Sequence, residues 1–290
     1  MSNHINIHEF KKLCLQDLKE VKHQHQGEEY LNEHLVRLYE TFLVCSKLLS
    51  ASRSRNILSA GAGIAYVEAQ LNKMLQAQVS IIDFPESIKL NEKHYSKHRF
   101  NCHPADLSRN FKLSIQKEFD LILSCEIIEY LPIAPSNHIA SLINYLIPGG
   151  YFIITTPNLA RLWSIVQLLL GRPLAPEPEL TFSPVSFKNE GIHRREYIES
   201  EIISAMTKNS LEHTKTYYIW NNKAYSFKRF AFLPFQIIKP SFRPTMLVVG
   251  SRPPETKRGY STHNPPYPFQ EQGITEEEAE KISSKSKRKK

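Results

Sequence analysis

The sequence predicts an α/β domain built on a doubly wound, mostly parallel sheet. Two observations carry this. Short apolar segments alternate with segments of helical periodicity from about residue 56 to 250. The first of those segments runs into Gly61-Ala62-Gly63, a turn that feeds a helix. Alternation of that length implies parallel strands with helices on both faces, and ligands in such sheets lie at the carboxyl ends of the strands.

The elements follow in order. Residues 1–28 are polar and rich in Lys, His and Gln, compatible with a loose helix. Over 30–49 the apolar positions Leu31, Leu35, Leu38, Phe42, Cys45 and Leu49 recur at helical spacing, so this segment reads as a structural helix packed on a core. Strands are expected over 56–60, 79–83, 99–102, 119–124 and 151–156, with helices over 64–75, 86–94 and 139–146. An insertion follows Pro157: a helix over 159–170, then the prolines 173, 176 and 178. A helix over 196–208 and strands over 214–220 and 245–250 complete the pattern. The expected organisation is a helical extension (1–50), a main domain (51–252) with a lid-like insertion (158–192), and a disordered basic tail (253–290) ending Lys-Ser-Lys-Arg-Lys-Lys.

Composition narrows the class. The 290 residues are 41% hydrophobic and 23% charged, which is globular. The net charge of +8 favours anionic partners in principle, but part of it sits in the tail. Cys14, Cys45, Cys102 and Cys125 are scattered without a Cys-x-x-Cys pair, so neither a disulfide framework nor a structural zinc site is indicated. The N-terminus lacks an apolar signal core and the longest apolar run is too short to span a bilayer, which needs about 20 residues. A cytoplasmic protein with no transmembrane segment is expected. The oligomeric state is not legible.

Four features follow the glycine turn. Asp83 ends the second strand, 20 positions after Gly63, where a carboxylate can accept from both hydroxyls of a ribose. Asp106, in Pro104-Ala105-Asp106-Leu107, is placed to take the amino group of an adenine. The run 119–132 is a buried strand entering a polar loop, Ser124-Cys125-Glu126-Ile127-Ile128-Glu129-Tyr130. Finally Pro148-Gly149-Gly150 turns into an apolar strand that ends at Thr156-Pro157-Asn158.

This ordered set resembles the class I S-adenosylmethionine-dependent methyltransferases, over about residues 50–250, and most closely the ubiquinone- and glycan-modifying O-methyltransferases. The resemblance implies a Rossmann-like sheet of seven strands, the last inserted antiparallel beside the fifth. It implies S-adenosyl-L-methionine as cofactor, with Gly61, Ala62 and Gly63 forming the turn beneath its methionine and ribose. Asp83, with Phe84 beside it, would bind the ribose hydroxyls; Asp106 and Leu107 would flank the adenine; Ser124, Cys125 and Glu126 would lie next to the sulfonium. The chain departs from that pattern at Ser59, where relatives often carry an acid that helps hold the cofactor's ammonium group, and at Ala65, where they carry a third glycine. A nicotinamide dehydrogenase is disfavoured by Tyr66, which stands where its fingerprint needs a small residue.

Methyl transfer mainly requires alignment and exclusion of water, and an oxygen or nitrogen nucleophile also benefits from a general base. The candidates are Glu126, Glu129, Tyr130 and His193, the last because histidines titrate near neutral pH. The acceptor is expected to be a small molecule, lipid or glycan precursor. The insertion helix, Tyr217, Tyr218, Trp220, Phe227, Phe230, Phe232 and Phe235 are candidates for enclosing an apolar one. Arg161, Arg172, Arg194 and Arg195 are candidates to meet a phosphate or carboxylate. Small-RNA ribose 2′-O-methyltransferases share Glu126, Glu129 and His193, making nucleic acid the alternative, less favoured partner. Their metal site needs a histidine where this chain has Tyr130, so no metal is expected. A third alternative is a catalytically inactive binding protein, suggested by Ser59.

Overall fold

A computed structural model describes residues 5–19, 21, 24–50, 52, 54–109, 111–113, 115, 118–175, 193–220 and 227–254. The described chain runs α1 (Ile7–Leu18), α2 (Gln24–Ser50), β1 (Asn56–Ala60), α3 (Tyr66–Leu75), β2 (Gln78–Asp83), α4 (Pro85–Leu90), α5 (Glu92–Lys97) and β3 (Asn101–Pro104). It continues β4 (Phe119–Cys125), α6 (Pro135–Ile143), β5 (Leu146–Pro157), α7 (Leu162–Leu169), α8 (Glu199–Thr207), β6 (Glu212–Ile219), α9 (Phe227–Ile238), a 3-10 turn (Pro240–Phe242) and β7 (Thr245–Ser251). Residues 176–192 of the expected insertion and 255–290 of the expected tail lie outside the described residues.

The seven strands form one sheet in the order β3-β2-β1-β4-β5-β7-β6. All neighbouring pairs from β3 to β5 are parallel, and β7 runs antiparallel to both β5 and β6. Order reverses between β1 and β4, so the carboxyl ends of those two strands open the crevice in which such sheets bind ligands.

Burial on both faces explains the unbroken apolar strands. Along β4, Leu121 and Leu123 join Phe10, Leu31, Ile57 and Leu71 beneath α1, α2 and α3. Phe119 and Ile122 face the opposite side with Ile139, Leu142, Phe152, Ile202 and Met206, against α6 and α8. Each such side chain contributes about 1.5–3 kcal/mol by leaving water.

Differences from the expected boundaries have local causes. The helix expected over 64–75 starts at Tyr66 because Ala65 adopts φ 57 and closes a turn by donating its N–H to the Ala62 carbonyl (2.8 Å). The helix expected over 86–94 is two, divided at Asn91, whose Nδ2 donates back to the Ser87 carbonyl (3.1 Å). Arg99, at φ 56, ends the turn after α5 and moves β3 to Asn101. Pro135, favoured in a first helical turn, starts α6 earlier than periodicity indicates. β5 begins at Leu146 because Phe119 pairs with it across an irregularity in β4, while Gly149 N–H donates to the Arg252 carbonyl and Arg252 N–H to that of Gly150.

Candidate functional site

At the end of β1 the chain makes two tight approaches. Gly61 has φ +67, and a Cβ there would lie 2.7 Å from Ile127 Cγ1 and closer still to Cδ1. Gly63 has φ +54, and a Cβ there would meet no atom within 4 Å. Gly61 is therefore needed for packing and Gly63 borders open space. That space is a cavity of about 290 Å³, lined by residues 59–64, Val67 and Glu68 from the turn and α3, Cys125 and Glu126 from β4, and Tyr30, Arg37, Leu38 and Thr41 from α2. It lies at the small end of ligand pockets, which run ~300–1,000 Å³. The helix expected to be structural thus also walls the cavity.

Asp83 is pinned beside the turn. Its Oδ2 accepts from Gly63 N–H (3.3 Å) and Ser87 Oγ (2.9 Å), and its Oδ1 from Phe84 N–H (2.8 Å). Burial pushes its carboxyl above the usual carboxylate range against the pull of those donors. Tyr95 fixes the turn from outside by donating its hydroxyl to the Gly63 carbonyl. Leu107 is buried, and a Cβ on Gly61 would lie 3.5 Å from its Cδ1. Asp106 is half-exposed, accepts from Ser108 N–H (2.9 Å) and pairs with Arg109 (3.2 Å).

The loop after β4 divides its residues. The side chain of Ser124 turns away from the cavity to meet His138 Nε2 on α6 (2.9 Å) and is fully buried. Cys125 and Glu126 face the cavity. Glu126 adopts φ 55, and its Oε1 accepts from Thr155 Oγ1 (3.0 Å). Glu129 is fully buried, with Oε2 accepting from Thr156 Oγ1 (3.0 Å); burial, then the Glu126 charge, pushes its carboxyl well up. Its backbone carbonyl accepts from the N–H groups of Arg194 (2.8 Å) and Arg195 (3.2 Å), which anchors the segment carrying His193.

That segment completes a hydrogen-bonded chain. His193 Nε2 lies 3.0 Å from the Tyr130 hydroxyl and Nδ1 lies 3.1 Å from Glu196 Oε1. Arg161 binds the other Glu196 oxygen, so one of the arginines expected to meet a carboxylate meets one within the protein. Burial raises the Glu196 carboxyl, but the His193 and Arg161 hydrogen bonds outweigh it and hold the group below the usual carboxylate range. Tyr197 bridges to Asn158, and Leu159 N–H donates to the Tyr197 carbonyl (3.0 Å), locking the segment to the end of β5. The Tyr130 hydroxyl is pushed up by burial, then by Glu129 and Glu126. Tyr130 follows Glu126, a cavity-wall residue, by four positions in the loop after β4, and neither it nor His193 lines the cavity itself.

Of the aromatic set, Tyr218 donates to Glu199 (2.7 Å), Lys215 lies over Tyr217, Arg243 lies over Trp220, Phe232 meets Trp163 on α7 at 6.0 Å, and Phe235 is exposed. The side chains of Phe227 and Phe230 lie outside the described residues. Among the described residues no three His, Cys, Asp or Glu side chains are grouped to hold a metal, and no helix is long and apolar enough to cross a membrane.

Comparison with known proteins agrees with this geometry. Residues 58–154 match a family model described as a methyltransferase domain. A chain of the complex between the Haloferax volcanii Trm112 methyltransferase activator and its methyltransferase is similar at 15% identity and TM-score 0.54, over 84% of this chain and 98% of that one. An S-adenosylmethionine-dependent methyltransferase from Clostridium acetobutylicum is similar at 13% identity and TM-score 0.50, over 75% and 92%. The cyclase SpnF is similar at 11% and 0.51, over 74% and 81%. No curated protein matches in sequence. The domain match and the shared fold of these neighbours together support methyl transfer as the enzyme class and S-adenosyl-L-methionine as the cofactor.

The cavity fits such a cofactor. Gly63 leaves room for a ligand against the backbone, and Arg37 is buried with its Nε lacking a hydrogen-bond partner among the described residues. When bound, the cofactor supplies a methyl group already activated on a sulfonium.

Proposed function

We propose that this chain methylates an oxygen or nitrogen of a small molecule, lipid or glycan precursor by in-line displacement, with His193 accepting the acceptor's proton. The observation that carries this reading is the chain Tyr130–His193–Glu196–Arg161. Glu196, held ionised by Arg161, orients His193 through Nδ1 and stabilises the imidazolium once Nε2 gains a proton. Tyr130, whose hydroxyl meets Nε2, passes its proton to Nε2 as it takes the acceptor's. The bound cofactor would supply the methyl group, and the residues of this chain would take the proton that the acceptor's oxygen or nitrogen gives up. Glu129, enclosed in the core, holds the His193 segment through its backbone carbonyl. Gly61, Ala62 and Gly63 cradle the cofactor, Asp83 with Phe84 receives its ribose, Asp106 and Leu107 flank its adenine, and Cys125 and Glu126 border the reacting centre, with Ser124 contributing backbone only. The cyclase SpnF shares the fold, so the assignment of methyl transfer chemistry rests on the domain match and this hydrogen-bonded chain rather than on topology.

The test is transfer of labelled methyl from S-adenosylmethionine to fractionated cell extract. His193→Gln should lower transfer ~10²–10⁴-fold with cofactor affinity unchanged, and Glu196→Gln should lower it less. Wild-type rates in His193→Gln would remove the histidine from the reaction.

A further inference from the structure

An arginine and a glutamate are buried on the wall of the cofactor cavity. Arg37, from α2, is 5% exposed; Nη2 donates to the Tyr30 hydroxyl (2.6 Å), Nη1 stands 3.7 Å from Glu126, and Nε has no hydrogen-bond partner among the described residues. Glu68, from the first turn of α3, is also 5% exposed, and its Oε1 accepts from Ser59 Oγ (2.6 Å). Both side chains line the same space, and the fields of both act on Cys125 on its wall.

A guanidinium stays charged in any protein environment, so its buried donors call for an acceptor. A buried carboxylate whose recorded side-chain donor is one hydroxyl is poorly compensated until a cation reaches it. One ligand that answers both demands is an α-amino acid, with ammonium and carboxylate on a single carbon. Ser59 stands where related domains often place an acid, and its hydroxyl is bonded to the carboxylate that α3 delivers to the same place.

We propose that Glu68 and Arg37 clamp the amino-acid end of the cofactor, Glu68 receiving the ammonium in place of an acid at position 59 and Arg37 receiving the carboxylate. The α2 helix is then part of the cofactor site. The proposal rests on the cavity being the S-adenosylmethionine site, and the experiment separates the two.

Equilibrium binding of the full chain is measured with three probes: S-adenosylmethionine, its decarboxylated form, and methylthioadenosine, which lacks the whole amino-acid end. Glu68→Gln should weaken S-adenosylmethionine at least tenfold and leave methylthioadenosine unchanged; that second affinity also reports that the variant is folded. Arg37→Lys should weaken S-adenosylmethionine but not the decarboxylated form. Ser59→Asp combined with Glu68→Ser should restore much of the affinity, which a merely structural Glu68 would not allow. Equal losses for all three probes, or less than threefold loss for S-adenosylmethionine in Glu68→Gln, would overturn the clamp. Failure of the wild type to bind methylthioadenosine and S-adenosylmethionine alike would overturn the cofactor site itself.

Discussion

Gly61 and Gly63 sit two residues apart with similar positive φ, yet substitution should affect them differently. An alanine at either position adopts the left-handed region, at a cost of about 1–2 kcal/mol. At Gly61 the new methyl also overlaps Ile127 Cδ1 and lies 2.7 Å from Cγ1. Displacing that partly buried side chain adds overpacking of about 1–3 kcal/mol. Restricting the unfolded chain returns about 0.4–1 kcal/mol in both cases. The net expectation is a loss of about 1–4 kcal/mol for Gly61→Ala and at most about 1–2 kcal/mol for Gly63→Ala. Cofactor affinity should rank the other way, because a methyl on Gly63 enters open space at the cavity. Urea unfolding without cofactor and equilibrium titration with S-adenosylmethionine read the two effects separately. Adding Ile127→Ala should recover the overlap part of the Gly61→Ala loss and none of the backbone part. Equal stability losses at the two positions, or unchanged cofactor affinity in Gly63→Ala, would refute this assignment of roles.

Burial lowers His94 and His138 to about 4, so both stay neutral in the folded chain, whereas unfolded histidines protonate near 6.5. The unfolded state therefore binds more protons between those values, and each histidine's contribution is complete above pH 6.5 and declines by about 1.4 kcal/mol per unit as pH falls toward 4. His138→Gln should shrink the difference in urea-unfolding stability between pH 7 and pH 5 by about 2 kcal/mol; an unchanged difference would show that His138 is not buried neutral. Asp17 ties α1 to the domain through Lys73 (2.6 Å), Gln70 (2.9 Å) and His98 (3.4 Å), and despite burial these partners hold its carboxyl below the usual range. That contribution is present above the unfolded carboxylate value and lost as pH falls below it, so at pH 7 Asp17→Asn should cost about 1.5–3 kcal/mol and speed amide exchange in α1.

The order of strands and helices was legible because apolar segments alternate with helical ones, and β1, β2, β4 and β7 begin or end within two residues of expectation. Boundaries moved where single residues overrode periodicity: Ala65 and Arg99 through positive φ, Asn91 through a back-bonded side chain, Pro135 through its preference for a first turn. Gly61, Gly63, Cys125 and Glu126 line the cavity, and the family resemblance, carried by the order of the motifs, points to them as site residues at the carboxyl ends of β1 and β4. Ser124 does not line it, since strand alternation decides its face and turns it to His138. Glu68 carries no signal of its own in the sequence, because its hydrogen-bond mate, Ser59, reads there as a loss rather than as half of a pair. Arg37 and Thr41 sit four apart on a face of α2 that also carries Leu38 and Cys45, and a charge among those apolar neighbours was the signal available. Glu196 lay three residues from His193 in plain view, but its pairing with Arg161 joins segments 35 residues apart, which spacing along the chain does not reveal.

The central claim is that the cavity beneath the glycine turn holds S-adenosylmethionine with Asp83 at its ribose. Calorimetric titration of wild type and Asp83→Asn tests it directly. The expected result is saturable one-to-one binding by the wild type and a loss of about 10–150-fold in the variant, the equivalent of about 1.5–3 kcal/mol for hydrogen bonds to a charged group. Wild-type protein that takes up no S-adenosylmethionine, or an Asp83→Asn variant that binds as tightly as wild type, would contradict it.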